Sequence, residues 1–219
     1  MPDPNGRSAQ ARPEWPAFLT HSDVDALNAG RHAHPFDVLG PHKSGRARWV
    51  AALQPDAVAV EAVVGAKVHP LARLDGDVFS GPVPGKAYKL RVTYGDGTQT
   101  VMDDVYGFGP VLSEFDKYLL GEGTHKELWR VLGAHVCTHE KAQGTHFAVW
   151  APNAREVAVM GNFNFWNETS HALYPRLDGS GIWEGFVPGV GHGTLYKYSI
   201  LAPDGRRLSK GDPYARFWE

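Results

Sequence analysis

Residues 146–166 read His146-Phe147-Ala148-Val149-Trp150, then Ala151-Pro152-Asn153-Ala154-Arg155-Glu156, then Val157-Ala158-Val159-Met160, then Gly161-Asn162-Phe163-Asn164-Phe165-Trp166. Two short runs of β-branched and aromatic residues are separated by a Pro-Asn turn, and the second stops at a Gly-Asn turn. Runs of this length bounded by turn formers read as strands. The pattern continues outward in both directions. Downstream, Ile182 to Val187 stops at Pro188-Gly189, and Leu195 to Leu201 stops at Pro203-Asp204-Gly205. Upstream, Arg48 to Leu53 stops at Gln54-Pro55-Asp56, Val58 to Val64 alternates, and Tyr88 to Tyr94 runs into the hairpin signal Gly95-Asp96-Gly97. Short strands at near-regular spacing predict an all-β chain of Ig-like β-sandwiches.

Helices are expected to be few and short. Ser22 with Asp25 and Gly30 frames one, Ser113 with Asp116 and Gly121 frames a second, and Thr124 to Trp129 opens a third. Residues 1–20, rich in Pro, Gly and Ala, are expected to form a flexible tail.

The chain also repeats itself. Leu39-Gly40-Pro41-His42 matches Leu132-Gly133-Ala134-His135 at an offset of 93. Pro55 matches Pro152 at 97, and Gly81-Pro82-Val83-Pro84-Gly85 matches Gly185-Phe186-Val187-Pro188-Gly189 at 104. Tyr88-Lys89, Asp96-Gly97 and Asp104-Val105-Tyr106 match Tyr196-Lys197, Asp204-Gly205 and Asp212-Pro213-Tyr214, all at 108. Six matches in one order with a slowly growing offset predict two tandem sandwiches. They divide the chain into residues 21–112, a helical linker 113–127, and residues 128–219. Two copies are too few for a solenoid.

Composition excludes several function classes. The 219 residues are 42% hydrophobic and 21% charged, which suits globular cores and not disorder. The net charge of -2 argues against a nucleic-acid partner. No apolar run of membrane-spanning length occurs, and Met1 to Arg7 has no apolar stretch of the secretory type, so a cytoplasmic, membrane-free location is expected. The single cysteine, Cys137, rules out an internal disulfide framework and a thiolate zinc cage. His32-Ala33-His34 lacks a carboxylate or cysteine partner, and the repeated Leu-Gly-x-His points to a turn hydrogen bond rather than a metal. Gly189-Val190-Gly191-His192-Gly193 lies in a sandwich turn and not between a strand and a helix, so neither a dinucleotide nor any other cofactor is expected.

The second copy, from Phe147-Ala148-Val149-Trp150-Ala151-Pro152-Asn153 through Gly161-Asn162-Phe163-Asn164-Phe165-Trp166, Gly181-Ile182-Trp183-Glu184 and Leu195-Tyr196-Lys197-Tyr198 to Asp212-Pro213-Tyr214-Ala215, resembles carbohydrate-binding module family 48. That Ig-like sandwich precedes the catalytic barrel of α-glucan-acting enzymes. With His34-Pro35-Phe36-Asp37-Val38-Leu39-Gly40 opening a first module, the whole resembles the N-terminal region of bacterial 1,4-α-glucan (glycogen) branching enzymes. The resemblance implies contact with α-glucan (glycogen and amylose-type chains) and docking to the catalytic barrel of the same enzyme. These are glycosyltransferases of glycogen biosynthesis, whose retaining chemistry needs two carboxyl groups on a (β/α)₈ barrel. No segment here reads as that barrel. The chain is therefore expected to carry no catalytic residue and to be inactive alone, as a truncated piece or a natural two-module protein. Two further readings are open: a stand-alone glycogen-binding module, and an Ig-like protein-interaction module.

The resemblance also implies site residues. Trp166 corresponds to a tryptophan that stacks on glucose, and Lys197 to a lysine that contacts hydroxyls. Asn164 and Trp183 complete the candidate set. One pyranose face of order 60 Å² stacked on an indole is worth about 1–2 kcal/mol at ~25 cal/mol per Å². Glucan binders carry a second tryptophan two residues after the Asp-Gly turn. Arg206, Arg207 and Leu208 stand there instead, which implies weak binding, in about the millimolar range. Trp49, Trp150 and Trp183 lie inside strand patterns and are expected in cores. The first copy has Val64-Gly65-Ala66-Lys67 where the second has its Gly161 to Trp166 segment, so it is expected to bind glucan poorly.

Overall fold

The computed structural model describes residues 14–85 and 87–217. The first unit begins with helix α1 (His21–Asn28), followed by strands β1 (Gly40–Ser44), β2 (Ala47–Leu53), β3 (Ala57–Val64), β4 (Lys67–Asp75), β5 (Val78–Pro82), β6 (Lys89–Tyr94) and β7 (Gln99–Met102). The second has helix α2 (Glu114–Gly121) and strands β8 (Gly133–His139), β9 (Ala142–Trp150), β10 (Glu156–Gly161), β11 (Tyr174–Pro175), β12 (Ile182–Pro188), β13 (Tyr196–Leu201) and β14 (Arg207–Lys210). All strand pairs are antiparallel, and both units are sandwiches, as the strand spacing predicts.

In the first unit the strand order is β1-β2-β5-β4-β3-β6-β7. β4 makes this one sheet into two layers. Lys67 to Leu71 pair with β3, whereas Ala72 to Asp75 pair with β5, so the strand passes from one layer into the other. Val50, Ala52 and Phe79 of one layer meet Val60, Leu71, Leu90 and Val92 of the other. In the second unit the layers are separate sheets, β10-β13-β14 and β11-β12-β9-β8. They enclose Phe147, Val149, Val157, Val159, Trp183 and Tyr198.

One layer of each unit is covered on its outer face too, which is why β2 and β9 read as continuous apolar runs instead of alternating ones. On β2, Ala51 and Leu53 point away from the sandwich and pack under α1 with Leu19, Val24, Leu27 and Tyr106. On β9, Ala148 points outward beneath Leu112, Val131 and Leu132.

The repeat goes deeper than the sequence matches suggest. His42 and His135 each bond the carbonyl three residues back, Leu39 and Leu132, at 2.9 Å, which meets the expectation of a turn hydrogen bond. Asp104 and Asp212 each accept a tyrosine hydroxyl, from Tyr88 and Tyr196, and the backbone N–H two residues on. Two further matched joints escaped the sequence reading. His32 Nε2 lies 3.3 Å from Asp23 and His125 Nε2 lies 3.4 Å from Asp116, each tying a turn back to its helix.

Several expectations are corrected. The α1 cap is Thr20, not Ser22: Thr20 and Asp23 form a reciprocal capping box that starts the helix earlier. Ser113 caps α2 as expected, but Thr124 to Trp129 is a turn, with one short 3₁₀ segment at Leu128–Arg130. Residues 113–127 repeat the arrangement of 20–34: Ser113, Asp116 and His125 match Thr20, Asp23 and His32. Of the expected 1–20 tail, residues 1–13 lie outside the described residues. Residues 14–20 are packed: Trp15 stacks on His21 at 4.0 Å, Phe18 sits 4.6 Å from His42, and Leu19 is buried. Trp49 is buried as expected, but Trp150 is 64% exposed and is no core residue. Its ring stands on the outer face of the β9 end, and its indole N–H donates to the Ser180 carbonyl at 3.0 Å.

Candidate functional site

The loop that follows β10 displays Trp166. Gly161 ends the strand against the Leu195 carbonyl, where any Cβ would overlap that oxygen and the Phe163 ring. Asn162–Asn164 form one 3₁₀ turn, and Phe165 and Trp166 then adopt φ of 54° and 59°. Two consecutive non-glycine residues in the left-handed region cost of order 1–2 kcal/mol each. Hydrogen bonds hold them there. The Asn164 carboxamide oxygen accepts from the Gly161 N–H at 2.9 Å, and its NH₂ donates to the Val159 carbonyl at 3.0 Å and lies near His171 Nδ1 at 3.2 Å. The Trp166 N–H closes the loop on the Gly161 carbonyl at 2.8 Å. Asn167 braces the far side, accepting from the Thr169 and Ser170 N–H groups. The result is an indole 42% exposed beside a phenyl ring, Phe165, that is 93% exposed.

Trp166 and Lys197 line one open groove of about 820 Å³, together with Leu195, Tyr196, His192 and Phe217. The register explains why they meet. Met160 pairs with Lys197 and Gly161 with Tyr196, so the loop leaving β10 emerges next to the start of β13. Lys197 is exposed and its ammonium is free to donate to hydroxyls. The groove thus combines a flat aromatic face, a cation and the neighbouring polar chain at Gly191 to Thr194, the groups a sugar needs on its apolar and polar sides.

The other two candidates do not belong to it. Asn164 is only 8% exposed, and its carboxamide is spent inside the loop, so it positions Trp166 without facing a ligand. Trp183 is 6% exposed, packs in the sandwich core and donates its indole N–H to the Ala151 carbonyl at 3.1 Å. One residue the sequence reading passed over lines the groove, Phe217, and Phe165, hidden among turn residues, stands exposed next to Trp166 in the chain.

The first unit offers no such loop. Val64 pairs with Lys67 across Gly65-Ala66, so β3 turns directly into β4 where β10 is followed by a display loop.

Buried carboxylates are structural. Glu184 on β12 holds His146 at 3.0 Å, Arg176, and the backbone N–H groups of Val111 and Leu112 at 2.9 Å each. Burial pushes its carboxyl up, but the His146 and backbone hydrogen bonds override this and leave it at about 2. It fastens the segment joining the two units across the outer face of β9 and β12. Burial alone brings His171 behind Asn164 down to about 4. Among the described residues no three His, Cys, Asp or Glu side chains gather as a metal would require, and no helix is long and apolar enough to cross a membrane.

Comparison with known proteins agrees with this architecture. Residues 20–106 match the family described as alpha-1,4-glucan branching enzyme GlgB, N-terminal domain. Residues 131–215 match carbohydrate-binding module 48 (isoamylase N-terminal domain). The chain is 45% identical over 204 residues to 1,4-alpha-glucan branching enzyme GlgB of Roseobacter denitrificans, covering 89% of this chain and 28% of that one. It is 48% identical over 199 residues to GlgB 1 of Streptomyces coelicolor, covering 89% and 25%. It thus spans about a quarter of the length of these relatives. Among solved structures, a type I pullulanase of Bacillus subtilis complexed with maltose aligns at 21% identity and TM-score 0.33, over 77% of this chain and 23% of that one. That structural likeness is too slight to carry weight; the sequence matches carry the assignment. Residues 20–106 thus belong to the GlgB N-terminal domain family and residues 131–215 to carbohydrate-binding module 48, and the two together are similar to the N-terminal region of 1,4-alpha-glucan branching enzymes.

Proposed function

We propose that the second module holds α-glucan chains of the glycogen and amylose type in the groove between Trp166 and Lys197. The chain thereby presents glucan to the catalytic barrel of a branching enzyme, on which it also docks. The observation that carries this reading is the Trp166 loop. Its backbone occupies a costly conformation at Phe165 and Trp166, and a buried asparagine is given over to holding it, while those two rings stay out of the core that Phe163 of the same loop joins. Such strain accumulates where a side chain must be displayed. The bond-making step belongs to the barrel of the relatives, in the cytoplasm where glycogen is built. This region contributes local substrate concentration and no catalytic group.

The affinity expected of one aromatic wall is weak, in about the millimolar range for a short maltooligosaccharide. It rises on glycogen, whose many chain ends present the ligand repeatedly. Co-sedimentation with glycogen tests the reading. The chain pellets with glycogen, Trp166→Ala loses most of that binding, and Lys197→Ala loses part of it. Retention of full binding by Trp166→Ala removes the groove from consideration. Failure of the unaltered chain to pellet at all favours a protein-interaction module.

A further inference from the structure

The two units are joined head to tail, and the joint shows what its own repeat is built to receive. On the first unit, Leu27, Gly30, Pro35, Leu53 and Tyr106 form a socket. The second unit fills it. Arg207 donates to the Gly30 carbonyl, the Thr169 methyl lies where a Gly30 Cβ would be, and the Tyr106 hydroxyl donates to the Ser170 carbonyl at 3.3 Å. Only about 20 Å³ is left open there. The repeat carries the same socket into the second unit as Leu120, Gly123, Leu128, Trp150 and Tyr214, joined by Ile182. There it stands open, with about 460 Å³ of free volume. Gly123 keeps the left-handed φ of its counterpart, 67° against 59°, but has nothing within 4 Å of a Cβ position. α1 buries Val24 and Leu27, whereas α2 buries nothing.

We propose that this open socket docks the folded unit that follows residue 217 in the branching-enzyme polypeptide, by the contacts the first socket uses. The chain leaves the first socket past Tyr106, and the unit that comes next fills it. It leaves the second past Tyr214, a lining residue, and the relatives are about three and a half times as long as this chain, with the match described as their N-terminal domain. The occupant presents small side chains over Gly123 and Trp150 and a guanidinium to the Gly123 carbonyl. This deepens the docking half of the proposed function and is independent of glucan binding.

Oxidative footprinting tests it in two proteins, this chain and a fusion in which it replaces the matching quarter of the Streptomyces coelicolor relative. Trp150 oxidises at least about fivefold more slowly in the fusion, while Trp166 keeps its reactivity. A branching-active fusion in which Trp150 stays reactive overturns the socket while leaving docking elsewhere intact. A fusion that neither folds nor branches shifts the decision to the 219-residue chain. There Trp150→Ser keeps Tm within about 2 °C, as an open socket requires, whereas Leu53→Ser at the filled socket lowers it by at least about 5 °C. A Trp150-dependent dimer in sedimentation, protection of Trp150 by maltoheptaose, or equal Tm losses overturns the proposal.

Discussion

Gly30 and Gly123 are a matched pair, and alanine at each measures what fills the space above it. Both residues sit at positive φ, 59° and 67°, so alanine costs about 1 kcal/mol at either position through its backbone alone. At Gly123 the new methyl enters open space and nothing further is lost. At Gly30 it overlaps the Thr169 methyl. The Thr169 hydroxyl and N–H are both engaged with Asn167, so the side chain cannot swing aside freely. Overpacking of this kind costs about 1–3 kcal/mol more. With roughly 2–4 °C per kcal/mol for a chain of this size, Gly123→Ala lowers Tm by about 2–4 °C and Gly30→Ala by about 4–16 °C. Circular dichroism melts of the two variants give the difference, and urea titrations give it in kcal/mol. Thr169→Ala in the Gly30→Ala background removes the overlap and recovers the added loss, leaving the backbone cost. Equal losses at the two glycines, or no recovery in the double variant, refute the head-to-tail joint described here.

Asn164→Ala leaves the Phe165-Trp166 backbone strained and unbraced, with the Gly161 N–H and Val159 carbonyl unpartnered. It lowers stability by about 1–3 kcal/mol and reduces glycogen co-sedimentation to the same extent as Trp166→Ala. Glu184 titrates at about 2 in the fold against 4.5 unfolded, so its share of stability is complete above pH 4.5 and fades as pH falls toward 2. That share is about 3 kcal/mol, and Glu184→Gln flattens the acid limb of the stability curve while weakening the fold at pH 7. His171 is held neutral, with its pKa moved from 6.5 down to about 4, so the display loop is intact above pH 6.5 and is undone as pH falls through 4. The loop's stability therefore declines from pH 6.5 downward and glycogen binding is lost as pH falls through about 4, and His171→Asn, which keeps an acceptor toward Asn164 and Ser170, removes that dependence.

Much of the architecture could be read from the residues because each repeated motif closes a joint. Leu-Gly-x-His ties a turn, and the Tyr and Asp of each copy bond to one another sixteen residues apart. The His–Asp pins went unread since nine residues separate their members and no periodicity links them. Trp150 was misassigned for a definite reason. Alternation along β9 says which residues share a face but not whether that face is covered, and Leu53, its counterpart, is covered. In the site, Trp166 and Lys197 were found through family resemblance, and the β10–β13 register brings them together. Asn164 carries the same turn signal whether it folds inward or faces solvent, and only the Val159 and Gly161 bonds distinguish the two. Trp183 sits in a strand with both faces covered, where sequence cannot tell an inward indole from an outward one.

The central claim, that glucan is held at the Trp166 loop, is tested most directly by following the indole N–H resonances of the seven tryptophans during a maltoheptaose titration. The account predicts that the Trp166 resonance shifts progressively with half-saturation in about the millimolar range, while those of Trp150 and Trp183 stay in place. A titration in which Trp166 does not move, or in which Trp150 moves in its stead, contradicts it.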